Sequence, residues 1–182
     1  EPLTFLVYGD DRTNHSVHRR VVQQMLRERD ARFILHTGDF VEVGGRPRDW
    51  QQFFDIAQPI LKGVPLFPTL GNHEIYGPGG RRRYQRYLVR HDHRVAWQAW
   101  TWGDVRLISL DSNDEWNEGD PQHEWLQDQL AEASLDSDIA WIIVFAHQVA
   151  DGPSTTLAPI MEDGSGFVGV DAKDTIVRLA AQ

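Results

Sequence analysis

Leu66-Phe67-Pro68-Thr69-Leu70-Gly71-Asn72-His73-Glu74 is a short apolar run that breaks at a glycine into an amide, an imidazole and a carboxylate. An apolar stretch of this length bounded by turn residues reads as a strand, so the three polar side chains stand at its carboxyl end. The same arrangement recurs on both sides. Leu3-Thr4-Phe5-Leu6-Val7-Tyr8 runs into Gly9-Asp10-Asp11-Arg12, and Arg32-Phe33-Ile34-Leu35-His36 runs through Thr37 into Gly38-Asp39-Phe40. Residues 140–145 form a buried strand that ends at His147 in Val144-Phe145-Ala146-His147. In a parallel or mixed sheet the carboxyl ends of the strands are where a ligand crevice lies. Together the four segments offer two carboxylates, an amide oxygen and two imidazoles, a set suited to hard divalent or trivalent metal ions.

Between these strands the periodicity changes. Residues 15–29 carry Val17, Val21, Val22, Met25 and Leu26 at helical spacing, and 50–57 do the same with Trp50, Phe53, Phe54, Ile56 and Ala57, closed by the prolines at 59 and 65. Strands alternating with helices indicate an α/β layer architecture. Residues 95–102 and 105–110, separated by Gly103-Asp104, predict a β-hairpin. A helix is predicted over 121–133, with Trp125, Leu126 and Leu130 on one face. The stretch 148–169, rich in Gly, Pro, Ser and Thr, reads as a long loop or lid. A last helix is predicted over 171–181, capped by Asp171 or Asp174.

Composition narrows the function. A chain of 182 residues fits one domain, 1–182, with a core of useful size. The net charge of -9 argues against a nucleic-acid-binding surface, which needs an excess of Lys and Arg. The same charge repels phosphate substrates unless cations reverse the local potential, as a metal centre does. No stretch is apolar for long enough to span a membrane. The absence of cysteine rules out disulfides, zinc-thiolate sites and thiol nucleophiles. The opening Glu1-Pro2-Leu3 suggests a processed terminus, so a secreted or periplasmic location is one expectation and a trimmed expression product the other.

Hydrolysing a phosphate ester at neutral pH needs a nucleophile, neutralised phosphate oxygens and a proton for the leaving group. Two metal ions about 3.5–4 Å apart supply the first two by sharing a hydroxide and clamping the phosphate. Asp39 is the candidate bridge between them. Asp10 would hold the first ion, and Asn72 and His147 the second. His73, next to a proposed ligand, is placed to donate the proton. No covalent phosphoenzyme is needed, because neither a Cys nor an activated Ser appears at the site.

The order Gly-Asp, Gly-Asp, Gly-Asn-His-Glu and Val-x-x-His resembles the calcineurin-like metallophosphoesterases, with the purple acid phosphatases as a close branch. The resemblance runs from Leu3 to His147, and Gly71-Asn72-His73-Glu74 is its most specific element. It implies two packed mixed β-sheets flanked by helices, a four-layer α/β (α+β) sandwich. It also implies a dinuclear centre of two metal ions such as Fe, Mn or Zn. By position it gives Asp10, Asp39, Asn72 and His147 the ligand roles above and His73 that of proton donor. Glu74, and Asp111 in the turn Asp111-Ser112-Asn113, would lie beside the site or near the substrate.

Three positions depart from the family pattern. Where many members carry a ligand His two residues after the first Asp, this chain has Arg12, which either contacts a substrate phosphate or pairs with a neighbouring acid. Where the purple acid branch has a ligand Tyr, it has Glu42, which either ligates the first metal or hydrogen-bonds and orients His73. The closing Gly-His-x-His loop is missing, since no His follows His147. The polypeptide is thus either truncated before that loop, the favoured reading, or a natural variant with a weakened site.

The leading expectation is a metal-dependent hydrolase of phosphate mono- or diesters; the rival is a catalytically silent or truncated binding module on the same fold. Alone, each Gly-Asp is an ordinary strand-end turn; their order and strand-end placement carry the reading. His36 reads as a packing residue behind the ligands, and His15, His18, His91, His93 and His123 as surface positions without a role. Arg81-Arg82-Arg83, Arg86 and Arg90 read as a solvated helix face.

Overall fold

The computed structural model describes residues 3–89, 94–114 and 117–148, together with the backbone of 176–179. Its elements in order are β1 (Leu3–Tyr8), α1 (His15–Met25), β2 (Ala31–His36), α2 (Pro47–Leu61), β3 (Leu66–Pro68), a 3-10 turn (His73–Ile75) and α3 (Gly80–Leu88). Then come β4 (Gln98–Trp102), β5 (Val105–Ser109), α4 (Pro121–Leu135), β6 (Trp141–Phe145) and β7 (Ile176–Leu179).

The strands form two sheets. One has the order β3-β2-β1-β7, with β1, β2 and β3 parallel and β7 antiparallel to β1. The other has the order β4-β5-β6, a hairpin to which β6 adds in parallel. Alternation along each strand explains how they stack. Phe5, Val7, Phe33, Leu35 and Phe67 leave one face of the first sheet and meet Val105, Leu107, Ile143 and Phe145 of the second. From the other face of the first sheet, Leu6, Tyr8 and Ile34 pack on Val22 and Met25 of α1 and Ile56 and Ile60 of α2. On the outer side of the second sheet, Ile108, Ile142 and Val144 pack on Leu126, Leu130 and Ala133 of α4. The result is the four-layer sandwich of helices, sheet, sheet and helix. Each large side chain buried this way contributes about 1.5–3 kcal/mol.

Several local expectations change. Helix α1 stops at Met25, not at 29, and the chain turns back through 26–30 to begin β2. Helix α2 starts at Pro47, which suits a first-turn position, and continues through Pro59 to Leu61. Pro59 forfeits one late helical hydrogen bond, and the burial of Ile60 against the first sheet outweighs that loss. Residues 80–88, whose arginines read as a helix face, form α3 and bury Tyr84.

The predicted helix over 171–181 is not present as such: residues 176–179 form β7 on the free edge of β1, with Leu3 opposite Leu179 and Phe5 opposite Val177. Ile176 and Val177 are β-branched, and an open strand edge offers the backbone partners that a short helix would have to supply for itself. The remainder of that expected helix, and the lid expected over 148–169 apart from Gln148, lie outside the described residues.

Candidate metal centre

Four loops leave the carboxyl ends of β1, β2, β3 and β6 and meet where the two sheets come together. They are laced by backbone hydrogen bonds: Asp10 N–H donates to Gly38 O (3.0 Å), Thr37 N–H to Tyr8 O (2.9 Å) and Thr69 N–H to His36 O (2.9 Å). Two glycines permit the approach. At Gly38, with φ 95°, an added Cβ would lie 2.8 Å from Gly71 N and 3.0 Å from the His147 ring. At Gly71 it would lie 2.3 Å from Asp39 N. Asp10 and Asp39 themselves adopt left-handed backbone, φ 55° and 59°. That conformation costs an L-residue roughly 1–2 kcal/mol, and Asp tolerates it better than most.

The structure brings the predicted ligands into one cluster. A ligand atom from each of Asp10, Asp39 and His147 lies within 4.8 Å of the others. His147 Nδ1 is 2.8 Å from the Thr37 carbonyl, to which it donates, so Nε2 is the ring nitrogen turned inward. Asn72 Nδ2 donates to the Tyr76 hydroxyl (2.9 Å), which leaves the amide oxygen facing that nitrogen at 3.0 Å. Asp39 Oδ1 is 3.4 Å from the same nitrogen. A carboxylate oxygen, an amide oxygen and an imidazole nitrogen thus converge. Carboxylate, amide and imidazole together fit a divalent ion.

Arg12 stands on the other side of Asp39. Its Nη1 is 2.7 Å from Asp10 Oδ1 and 2.7 Å from Asp39 Oδ2, and its Nε is 4.0 Å from the Glu42 carboxylate. Of the two readings of Glu42, the orienting contact with His73 is present but is not made by the carboxylate. The carboxylate points at Arg12, while the Glu42 backbone carbonyl is the atom that accepts from His73 Nδ1, at 2.8 Å. His73 N–H donates to Asp39 Oδ1 (3.0 Å), and the ring packs against Tyr76.

Glu74 and Asp111 are buried supports. Glu74 Oε2 accepts from the N–H groups of Asp39 (2.8 Å) and Gly71 (2.9 Å), and Oε1 from Val41 (3.2 Å). Burial, and then the Asp39 charge, push the Glu74 carboxyl up to about 8, with those three donors holding against the rise. Burial also raises Asp111 above the usual carboxylate range, opposed by Asn113 and Arg81. Gln122 pins the Asp111 backbone at both N–H (2.7 Å) and C=O (3.0 Å). Arg81, expected on a solvated face, instead pairs with Asp111 and with Asp114 at 2.9 Å. Sequence reasoning carries no signal for Gln122 or Arg81, because both contacts are made between different elements and depend on how those elements pack.

Two histidines assigned to the surface are buried: His18 is 3% exposed and His123 4%. His18 belongs to the stripe His18, Val22, Met25 that α1 turns toward the sheet, a spacing visible in the sequence. With His36 it encloses Asp11: His36 Nε2 is 2.9 Å from Asp11 Oδ1 and His18 Nε2 is 2.8 Å from Oδ2. Gly38 N–H donates to His36 Nδ1 (3.2 Å), so the other ring nitrogen carries the proton given to Asp11. His36 also stacks on Phe40, ring centroids 3.6 Å apart.

This buried group makes stability depend on pH. Burial alone raises the Asp11 carboxyl, but the His36 charge and the contacts from both rings outweigh it, so it lies below the usual carboxylate range. Burial lowers His36, with Asp11 offsetting part of the effect. Both folded values lie beneath the unfolded ones, so on acidification the unfolded chain takes up protons first. The His36 contribution is complete above about 6.5 and is lost as pH falls below that value. The Asp11 contribution goes later, as pH falls through the carboxylate range. In chelator, the urea midpoint is expected to drop between about pH 7.5 and pH 5, and His36→Phe to flatten that slope. An unchanged slope in the variant would assign the pH dependence to other groups.

Comparison with known proteins bears on the family and the fold. An uncharacterized protein of Mycobacterium tuberculosis is 35% identical over 141 residues, 65% of this chain and 27% of that protein. Probable inactive purple acid phosphatase 1 of Arabidopsis thaliana is 27% identical over 145 residues, 71% of this chain and 23% of that protein. The chain thus spans about a quarter of the length of these curated relatives. The structure of a purple acid phosphatase from yellow lupin (Lupinus luteus) seeds superposes with a TM-score of 0.68 at 22% identity, over 82% of this chain and 31% of that one, and shares the fold. Residues 3–167 match the calcineurin-like phosphoesterase family, and with its four-layer sandwich and strand-end residues the chain belongs to that family.

Proposed function

We propose that the chain is a metal-dependent hydrolase of phosphate mono- or diesters. The observation that carries this reading is the convergence of three ligand atoms at the strand ends, His147 Nε2 lying 3.0 Å from Asn72 Oδ1 and 3.4 Å from Asp39 Oδ1. Metal ions held there supply activated water and neutralise phosphate charge. Asp39 anchors the centre and, through Oδ1, the backbone of His73. The Glu42 carbonyl holds His73 Nδ1, so a protonated ring presents its second N–H, at Nε2, for the leaving oxygen.

Hydrolysis of an aryl phosphate and its diester, with Mn2+, Zn2+ or Fe2+ and again in chelator, tests the reading. Turnover that appears with metal and disappears in chelator supports it. His73→Ala is expected to lower kcat by about 10²–10⁴ while leaving bound metal unchanged. Equal loss of metal and turnover would make His73 a structural part of the centre.

A second reading, a silent binding module, is favoured by the closeness of Arg12 to both aspartates. It is also in keeping with the name of the Arabidopsis relative, a probable inactive phosphatase. It predicts bound metal and no turnover on either ester.

A further inference from the structure

Asp39 divides its two oxygens between different partners. Oδ1 faces His147 Nε2 at 3.4 Å and lies on the side of Asn72. Oδ2 is engaged by Arg12 Nη1 at 2.7 Å, and that same nitrogen takes Asp10 Oδ1, also at 2.7 Å. A guanidinium nitrogen therefore occupies the gap between the two carboxylates, where the first ion of a dinuclear centre would need to sit.

We infer that Arg12 is a built-in cation standing in the place of that first ion, so that the chain binds one divalent ion, on the Asp39, Asn72 and His147 side. This rests on the metal-dependent reading above.

Three features support it. An arginine guanidinium is a permanent cation in proteins. It is placed among carboxylates, with Glu42 4.0 Å from Nε as well as Asp10 and Asp39, and its side chain is only 27% exposed. A second divalent ion would have to displace it from both aspartates and then lie beside its charge. Arg12 also offers no lone pair with which to coordinate an ion. Among the described residues the acidic and histidine ligand atoms grouped so as to hold an ion are those of Asp10, Asp39 and His147. One nitrogen, Nη1, contacts both carboxylates, and both aspartates are held in left-handed backbone.

The test counts ions. Purified chain stripped with chelator and titrated with Mn2+ is read by calorimetry, by elemental analysis after desalting, and by electron paramagnetic resonance. The wild-type chain is expected to bind one Mn2+ with the six-line spectrum of an isolated ion. Arg12→His, which removes the permanent charge and adds a nitrogen ligand, is expected to bind two, with the spectrum of an exchange-coupled pair. Arg12→Lys keeps the charge and is expected to stay at one. Far-UV circular dichroism and the urea midpoint confirm that each variant is folded; should Arg12→His not fold, the wild-type count and spectrum decide. Two coupled ions in the wild-type chain would overturn the role of Arg12 and leave the metal-dependent reading standing. One ion in both wild type and Arg12→His would also overturn it, since the arginine would not be what excludes the second. No ion in any folded variant would remove the metal-dependent reading and this inference with it.

Discussion

Glu74→Ala is expected to destabilise the chain by about 3–6 kcal/mol, because three buried N–H groups lose their acceptor at once and each orphaned donor costs about 1–3 kcal/mol. The donors belong to Asp39, Val41 and Gly71, so the loss falls on the two loops that carry Asp39 and Asn72. One opposing effect is present: the Glu74 carboxyl sits buried beside Asp39 and is pushed up to about 8, so removing it relieves some repulsion. The donors outweigh this, since relief of one repulsion is set against three unpaired groups at a fully buried site. A domain of this size is stable by about 5–15 kcal/mol, so the variant loses a large share of that margin. The measurement is urea unfolding followed by tryptophan fluorescence. Glu42→Ala, at a carboxylate that accepts none of these backbone donors, is the control and should shift the midpoint little. A Glu74→Ala midpoint equal to that of Glu42→Ala would show that the three hydrogen bonds do not organise the loops. Glu74→Gln is expected to fall between them: its oxygen satisfies one side, while its amide hydrogens face N–H donors on the other.

The fold was legible in the sequence wherever a strand's inward and outward faces were both apolar and a glycine marked its end. Phe5-Leu6-Val7-Tyr8 and Phe33-Ile34-Leu35 send alternate side chains to two separate cores, which is why they read as unbroken runs. The strand-end residues Asp10, Asp39, Asn72 and His147 were legible for the same reason, since the position of a strand's end fixes where the next side chain stands. What was hidden depended on partners remote in sequence. Residues 176–179 have a pattern compatible with helix or strand, and only the open edge of β1 decides between them. His18 was set aside as a surface residue although it lies on the buried stripe of α1, and only the Asp11 carboxylate beneath it explains a polar group there. Glu42 shows a different gap: the sequence identified the right residue for His73, but the contact is made by its carbonyl, which every residue has and no motif encodes.

Asp39→Asn is expected to leave the chain folded and to abolish tight metal binding. Asn tolerates the left-handed backbone at φ 59° as well as Asp does, so the loop is not strained by the change. The amide oxygen can take the place of Oδ1 and accept from His73 N–H. Its NH2 group then faces Arg12 Nη1, a donor against a donor, where Oδ2 had been 2.7 Å away. Arg12 keeps Asp10, so the fold loses one charged contact within a cluster that is partly open to solvent, and the cost in stability is small beside that of Glu74→Ala. The metal side fares worse. The one negative oxygen that faces His147 and Asn72 becomes neutral, while the guanidinium charge nearby is no longer balanced by it. Changes to residues that merely support ligands already weaken metal sites by about 10–100-fold, so losing the anionic ligand itself should exceed that range. A Mn2+ titration of the two proteins, with urea unfolding in chelator alongside, separates the outcomes. Affinity within a few-fold of wild type would move the ion away from Asp39 and remove the centre proposed here. Loss of affinity with the urea midpoint nearly unchanged would place the function of Asp39 in holding the cation and would leave the scaffold to Glu74 and the glycines around it.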